Sequence, residues 1–478
     1  MAAIGVQATI PSCLKFPVRS REVALVSPAK PTPYEFKTLS DIDDQDALRF
    51  QLPLLWFYSN ASTTPFSSVD IGISGGKCQR EVGRVIRDAL SEALVYYYPL
   101  AGRIRESPNG KLTIECNGEG VLYIEADADI RLEQFGPRIQ PPFSCDQLLS
   151  KTLTESNGIL NTPVLVIQVT HLLCGGFVFA TRLNHCMMDG SGIAQFLGAV
   201  AEIARGAKTP SILPVWEREM ITAREPPRVT HTHHEYLNLS TPAATTISSL
   251  NNSSSIVAKY NNNINNNTDH IVSSFFFGKA QISALRNRLP PHLKDTSSRF
   301  EIITACLWRS RTLALSLEPT ELVCLSCVMG SPQGRQVGYY GNLIAFVGIV
   351  TTSKKLCTRP LGYAVELIKK AKRKMTEDYL QSQLDFFAVK HKPSFPVTQT
   401  TFVLSDNTRI GMSQLDFGWG LPLFSGPAAD SSLHNIQGAV TYYALSTPKN
   451  GEEGVVVPLS LPKPFMDRLL LELQEMTG

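Results

Sequence analysis

The 478-residue chain has no apolar run of the ~20 residues a helix needs to cross a bilayer. It also lacks a strong charge of either sign. Its 45 Lys and Arg against 42 Asp and Glu leave a net +3, too little for the concentrated basic face that nucleic-acid binding demands. The first residues, MAAIGVQATIPSCLKFPVRSRE, contain no continuous apolar core of the kind a secretory signal carries. They are acid-free before Glu22, as in an organelle transit peptide, but CLKFPVRSREVALV also alternates like a first strand. The ten cysteines are scattered, and Cys174, Cys306 and Cys324 sit in apolar segments. That distribution predicts reduced, buried thiols in a cytoplasmic protein rather than a disulfide framework. CLSC at 324–327 has no second CxxC to complete a zinc site, and on a strand its thiols would face opposite ways. SGGKC lacks the glycine spacing and final Ser/Thr of a phosphate-binding loop.

What is present is a soluble composition, 43% apolar and 18% charged, at a length that predicts two domains or three. EVGRVIRDALSEALV (81–95) carries apolar residues at helical spacing, closed by Pro99 and Gly102. GKLTIECNGEGVLYIEADADI (110–130) alternates about a glycine turn and predicts a hairpin; TPVLVIQVTHL and GGFVFATRLNH predict a strand pair. SGIAQFLGAVAEIARG predicts a helix capped by Asp189 or Ser191 and stopped by Gly206. Residues 241–269 are Asn/Ser low complexity and predict a disordered surface loop, because such a segment buries too little apolar surface to offset its ordering entropy. Beyond it come FEIITACLWRSRTLAL as a helix, LVCLSCVM and NLIAFVGIVTT as strands, and LGYAVELIKKAKRKMTEDYLQ as one helix. Strands TTFVLSD, GAVTYYAL and EGVVVPLSL precede a closing helix. Neither half shows regular βαβ alternation, so the expectation is α+β in both. The boundaries expected are 1–206, a crossover over 207–271, and 272–478.

RLNHCMMDGSG (182–192) places His185 four residues before Asp189. On a helix the two would share a face, but the strand-like entry and the glycines at 190 and 192 predict a strand end turning into a helix start. His185 then leaves a buried strand at a cleft, where an imidazole can take a proton from a hydroxyl. Asp189 stands at a helix N-terminus, suited to accept backbone N–H groups or pair with an arginine. The alternative is a histidine satisfying a core carbonyl beside an ordinary cap, and the short pattern alone does not separate the two. A metal half-site fits poorly, since no third ligand lies nearby. GISGG (72–76) matches a nucleophile elbow at Ser74, the basis of a serine-esterase alternative, although the preceding segment is polar. HTHHE (231–235) is a possible metal cluster within the polar crossover, and KKAKRK (369–374) reads as a solvated helix face or a phosphate-docking site.

DFGWG at 416–420 changes the reading. With HCMMDG it resembles the paired HxxxD and DFGWG signatures of the plant BAHD acyl-CoA-dependent acyltransferases. YYPLAGR (97–103), FEIITACLWR (300–309) and GYYGN (338–342) follow in that family's order, and the resemblance spans about 14–475. PAKPTPYEFKTLSDIDDQDALRFQLP (28–53) and LPVWERE (213–219) are similar to the branch of benzyl alcohol benzoyltransferases and alcohol acyltransferases.

The resemblance implies two chloramphenicol-acetyltransferase-like domains, each a mixed sheet with flanking helices, with a tunnel between them. It implies acyl-CoA as co-substrate with no bound cofactor or metal, a small-molecule alcohol acceptor, and a monomer without nucleic-acid or membrane partners. His185 becomes the general base, and Asp189 a structural residue paired with an arginine, for which Arg299 is the candidate. Asp416, Gly418 and Gly420 shape a loop near the CoA channel. Thr408 and Trp419 become oxyanion or acyl-site candidates, and Ser298, Tyr340 and Asn342 tunnel candidates. A catalytically silent, ligand-binding family member remains an alternative. The Asn-rich insertion and an N-terminal extension of about a dozen residues depart from the family pattern without touching its motifs.

Overall fold

Apolar residues on the helical period of 81–95 form one stripe, and in the protein's structure, a computed structural model, that stripe is the buried side of the helix Gly75–Tyr96. The structure describes residues 8–9, 14–60, 75–136, 138–143, 145–149, 158–236, 270–331, 336–393, 396, 398–428, 439–446 and 452–478. Ser74, the low-complexity stretch 241–269 and the first seven residues lie outside them. Among the described residues no helix is long and apolar enough to cross a membrane.

The helices Gly75–Tyr96 and Gly190–Ala204 cover one face of the strands Gln51–Tyr58, Leu165–Leu172 and Phe177–Asn184. Trp56, Tyr58, Phe177 and Phe179 point to those helices, while Leu55, Phe57, Val178 and Ala180 alternate to the opposite face. Both faces are covered, so every residue of Phe177–Asn184 is buried, the polar Thr181, Arg182 and Asn184 included. In the other half the helices Arg299–Leu315, Leu361–Lys374 and Lys463–Thr477 cover a sheet through Trp308, Ile368 and Leu469. The fold is α+β, with a mixed sheet and flanking helices in each half.

The halves are not separate in hydrogen bonding. Phe424–Pro427, from the C-terminal half, pairs antiparallel with Gln51–Tyr58 over four residues and touches Val440–Ser446 through the Phe424–Ser446 pair. One thirteen-stranded network therefore runs through both halves. Met412, Leu415 and Phe417 join the N-terminal core, as does Tyr340.

Two local expectations are corrected. Leu112–Glu115 and Val121–Ala128 do not form a hairpin. The first lies in a three-stranded sheet with Phe36–Thr38 and Arg103–Glu106; the second pairs with Val18–Val26 and, in parallel, with Leu165–Leu172. The connection is drawn apart because Cys116 donates its N–H to Glu35 and Gly120 donates to Ala101, each 2.8–2.9 Å, so the chain crosses between sheets. Residues 361–390 form two helices rather than one. Thr376 caps Glu377–Lys390 by accepting the Tyr379 N–H at 3.2 Å, with Glu377 and Asp378 in its first turn. The preceding helix ends in Lys372, Arg373 and Lys374, so each terminus carries the charge its dipole favours.

Gly192 sits where the helix Gly190–Ala204 passes beneath the segment 338–342. A methyl group there would lie 2.1 Å from the Tyr340 carbonyl oxygen. Gly192→Ala is expected to cost about 1–3 kcal/mol through overpacking and to lower the melting temperature. Gly198, in the same helix with nothing within 4 Å of the corresponding position, is the control. Thermal denaturation of Gly198→Ala should show no loss.

Candidate active site

Strand Phe177–Asn184 ends one residue before His185, whose N–H continues the ladder by donating to Phe50 at 2.9 Å. The imidazole packs on the Phe50 ring at 5.2 Å between centroids, in a residue that is only partly buried as a whole. Burial pulls its pKa below the ordinary value, against opposing contributions from its backbone hydrogen bond, the Asp189 carboxylate, the Asn342 side chain and Asp43. That direction favours the neutral imidazole, the form able to accept a proton.

Asp189 does different work. Its Oδ1 accepts the N–H groups of Ser191 and Gly192 at 3.0 Å, capping the helix Gly190–Ala204. Its Oδ2 accepts the N–H of Leu343 at 3.0 Å, tying the turn after His185 to the segment after GYYGN. Arg299, expected as its partner, instead donates to Thr408 Oγ1 at 3.2 Å. The reason is local: Arg299 opens the helix Arg299–Leu315, which packs in the C-terminal core, and Thr408 follows the strand Thr401–Asp406 beside it.

The Thr408 hydroxyl is committed. It donates to Asp406 Oδ1 at 2.6 Å while accepting from Arg299, so its single proton is not directed at an oxyanion. Thr408 does lie near the site, since Ile410, two residues on, closes over Gly190. Ser298 is also committed, capping Arg299–Leu315 by accepting the Glu301 N–H at 3.2 Å while Glu301 accepts the Ser298 N–H at 2.9 Å. Glu301 in turn binds Lys369 and Lys372 at 3.4 and 2.6 Å, which accounts for two of the lysines in KKAKRK.

Tyr340 and Asn342, expected to line a tunnel, are buried supports. The Tyr340 ring packs against Tyr97 at 5.1 Å and Trp216 at 6.0 Å. Asn342 donates Nδ2–H to the carbonyl of His185 and to Asp43 Oδ1, both at 2.8 Å. Asp43, which sequence reasoning did not single out, is fully buried and also paired with Arg218 at 3.0 Å. Their signal lay in the two branch-specific stretches, 28–53 and 213–219, that contain them.

DFGWG stands elsewhere. Asp416 Oδ1 accepts the N–H groups of Gly418 and Gly420 at 2.7 and 2.9 Å, closing a loop in which both glycines adopt positive φ, 107° and 87°. Arg205, at the C-terminal end of the helix Gly190–Ala204, donates to the Asp416 carbonyl, and the Trp419 indole meets Phe177 edge-on at 6.1 Å. Phe177 begins the eight-residue strand that delivers His185, a run of ~26 Å at ~3.3 Å per residue. The fifteen-residue helix gives a second ruler of ~22 Å. DFGWG and HxxxD therefore occupy opposite ends of one strand–helix unit, and Trp419 is too far from His185 to contact the same reacting carbonyl.

The remaining candidates resolve as packing. Ser382 of the helix Glu377–Lys390 joins His233 and Glu235 of the crossover cluster HTHHE in a Ser–His–Glu relay, with 3.1 Å at each link. Its serine oxygen accepts the N–H groups of Thr230 and His231 at 3.0 Å, and its carboxylate is taken by Tyr379, Gln383 and Gly348. All three relay residues are buried, so the relay anchors the crossover to the helix Glu377–Lys390 rather than offering a nucleophile. No three His, Cys, Asp or Glu side chains converge as metal ligands among the described residues. Cys324 and Cys327 are buried in the strand Leu322–Gly330, and burial pushes both thiols up to about 12.

Comparison with known proteins places this arrangement. Residues 16–476 match the Transferase family. The chain is 46% identical to the benzyl alcohol O-benzoyltransferase of Petunia hybrida over 468 residues, covering 97% of this chain and 94% of that protein. It is 44% identical to alcohol acyl transferase 1 (allele GSa) of Malus domestica over 466 residues, covering 96% and 94%. Among solved structures its fold is similar to that of vinorine synthase, with TM-score 0.69, 20% identity and coverage of 96% and 98%. It is also similar to F. graminearum TRI101 in complex with coenzyme A and deoxynivalenol, with TM-score 0.66, 14% identity and coverage of 91% and 96%. A family match over nearly the whole chain, with relatives of this identity, means that the chain belongs to the Transferase family, the BAHD acyl-CoA-dependent acyltransferases.

Proposed function

We propose that this acyl-CoA:alcohol O-acyltransferase moves a benzoyl or other acyl group from its CoA thioester to the hydroxyl of a small alcohol, with His185 as general base. The product is an ester of plant specialised metabolism, either a volatile ester or the ester of an alkaloid or terpenoid alcohol. The carrying observation is the imidazole at the strand exit, kept neutral by burial and braced by Phe50 and Asn342. An unactivated hydroxyl is a poor nucleophile, so the base removes its proton as the oxygen attacks the thioester carbonyl. The tetrahedral oxyanion collapses by breaking the C–S bond, and the imidazolium returns its proton to the departing CoA thiolate. The thioester is already an activated acyl donor with a good leaving group, so transfer is direct, within a ternary complex, and needs no acyl-enzyme. The enzyme acts as a cytoplasmic monomer. Asp189 holds the catalytic turn, while Asp416, Gly418 and Gly420 maintain a remote loop.

Purified protein assayed with benzoyl-CoA and acetyl-CoA against benzyl, aliphatic and bulky polycyclic alcohols should release CoA and form ester with at least one pair. Neither product with any pair would overturn the reading. The pH profile adds a sign. Protonation of His185 removes the base, so kcat/KM falls on the acid side. Because burial lowers the pKa, that fall is centred below the ordinary histidine value of about 6.5. An acid limb centred above 6.5 would contradict the assignment.

A further inference from the structure

The catalytic turn is gripped by a buried ion pair whose members come from distant parts of the chain. Asp43 and Arg218 are 175 residues apart in sequence and meet at 3.0 Å with both side chains fully buried. Asp43 Oδ1 accepts both the backbone N–H and the side-chain N–H of Asn342, at 3.0 and 2.8 Å, and Asn342 passes the restraint to the His185 carbonyl. Asp43 Oδ2 accepts the Ser40 N–H at 3.1 Å besides the guanidinium. Arg218 spends its other terminal nitrogen on the carbonyl of Met187 at 2.5 Å, and its plane lies over Trp216 at 4.0 Å. Residues 185 and 187 are thus tethered through opposite ends of one ion pair. A fully buried pair adds little net stability compared with apolar replacements of similar size, so stability alone is a weak reason to build one.

We infer that Asp43 and Arg218 are a positioning pair for the base, holding residues 185–187 in place and balancing the charge beneath the imidazole. The first segment of the crossover is then part of the catalytic apparatus rather than a tether between halves. The two stretches that resemble one branch of the family, 28–53 and 213–219, meet in this pair. The inference rests on His185 being the base.

The charged groups around the imidazole give the test its sign. Asp43 and Asp189 favour the imidazolium, and Arg218, paired with Asp43, carries the opposite charge that balances the Asp43 carboxylate. Asp43→Asn leaves Arg218 uncompensated and moves the acid limb of single-turnover ester formation to lower pH. Arg218→Gln leaves Asp43 uncompensated and moves it to higher pH. Each shift should be about half a pH unit or more. In both variants kcat should fall about tenfold or more, with KM for acyl-CoA within about twofold, because the turn that carries the base loses a tether. Limbs that stay in place or move the same way overturn the inference, as does a kcat per folded molecule within about threefold of wild type. If either variant fails to fold, Arg218→Lys decides: it keeps the charge but cannot hold Asp43 and Met187 together, so kcat should fall with the limb unmoved, and an unchanged kcat overturns the inference. Full activity in His185→Ala would remove the base reading itself; an inactive His185→Ala with non-diverging limbs removes only the positioning pair.

Discussion

His185→Ala is expected to lower kcat/KM for ester formation by about 10²–10⁴ while leaving the protein folded. The loss is chemical because the backbone bond from residue 185 to Phe50 and the Asn342 bond to its carbonyl both survive the substitution. Only the imidazole and its packing on Phe50 disappear. The check is ester yield from purified variant alongside circular dichroism and thermal denaturation. A folded variant with full activity would sink the base assignment, whereas an inactive and unfolded one would direct the test to His185→Gln, which preserves more of the packing.

Asp189→Ala should fail in another way, by unfolding before it fails in chemistry. The cap on the helix Gly190–Ala204 is worth about 0.5–2 kcal/mol. Leaving the part-buried N–H of Leu343 without its acceptor adds at most about 1–3 kcal/mol. Melting temperature and soluble yield should therefore fall together with activity, since the same carboxylate fixes the turn bearing His185. Asp189→Asn should be intermediate: its carbonyl can still cap the helix, but its NH₂ would face the Leu343 N–H. A variant with wild-type melting and no activity would instead assign Asp189 a direct chemical role.

Periodicity and glycine placement in 177–206 made the strand exit, the helix start and the Asp189 cap legible, because each is a local property of the backbone. The same local logic misjudged 110–130, where alternation marked two strands correctly but could not say that they belong to different sheets. It also ran two helices together across Thr376, where a cap interrupts an otherwise continuous apolar stripe. The candidate site fared similarly. The strand exit at His185 and the helix start beside Asp189 could be read from eleven consecutive letters, while the part proposed for His185 needed the distant DFGWG motif, and the functions suggested for Thr408 and Trp419 depended on distances that no motif carries.

By itself the sequence determined the α+β class, the family through its ordered motifs, and the strand exit at His185 with a helix start beside Asp189, since these follow from residue type and near-neighbour spacing. Only the tertiary structure decided that DFGWG lies a whole strand and helix away from His185, and that Arg299 serves Thr408. It alone joined Asp43 to Arg218 beside the turn 185–187. Hydrogen-bond partners far apart in the chain are chosen by how sheets and helices pack, and that choice leaves no trace in local periodicity.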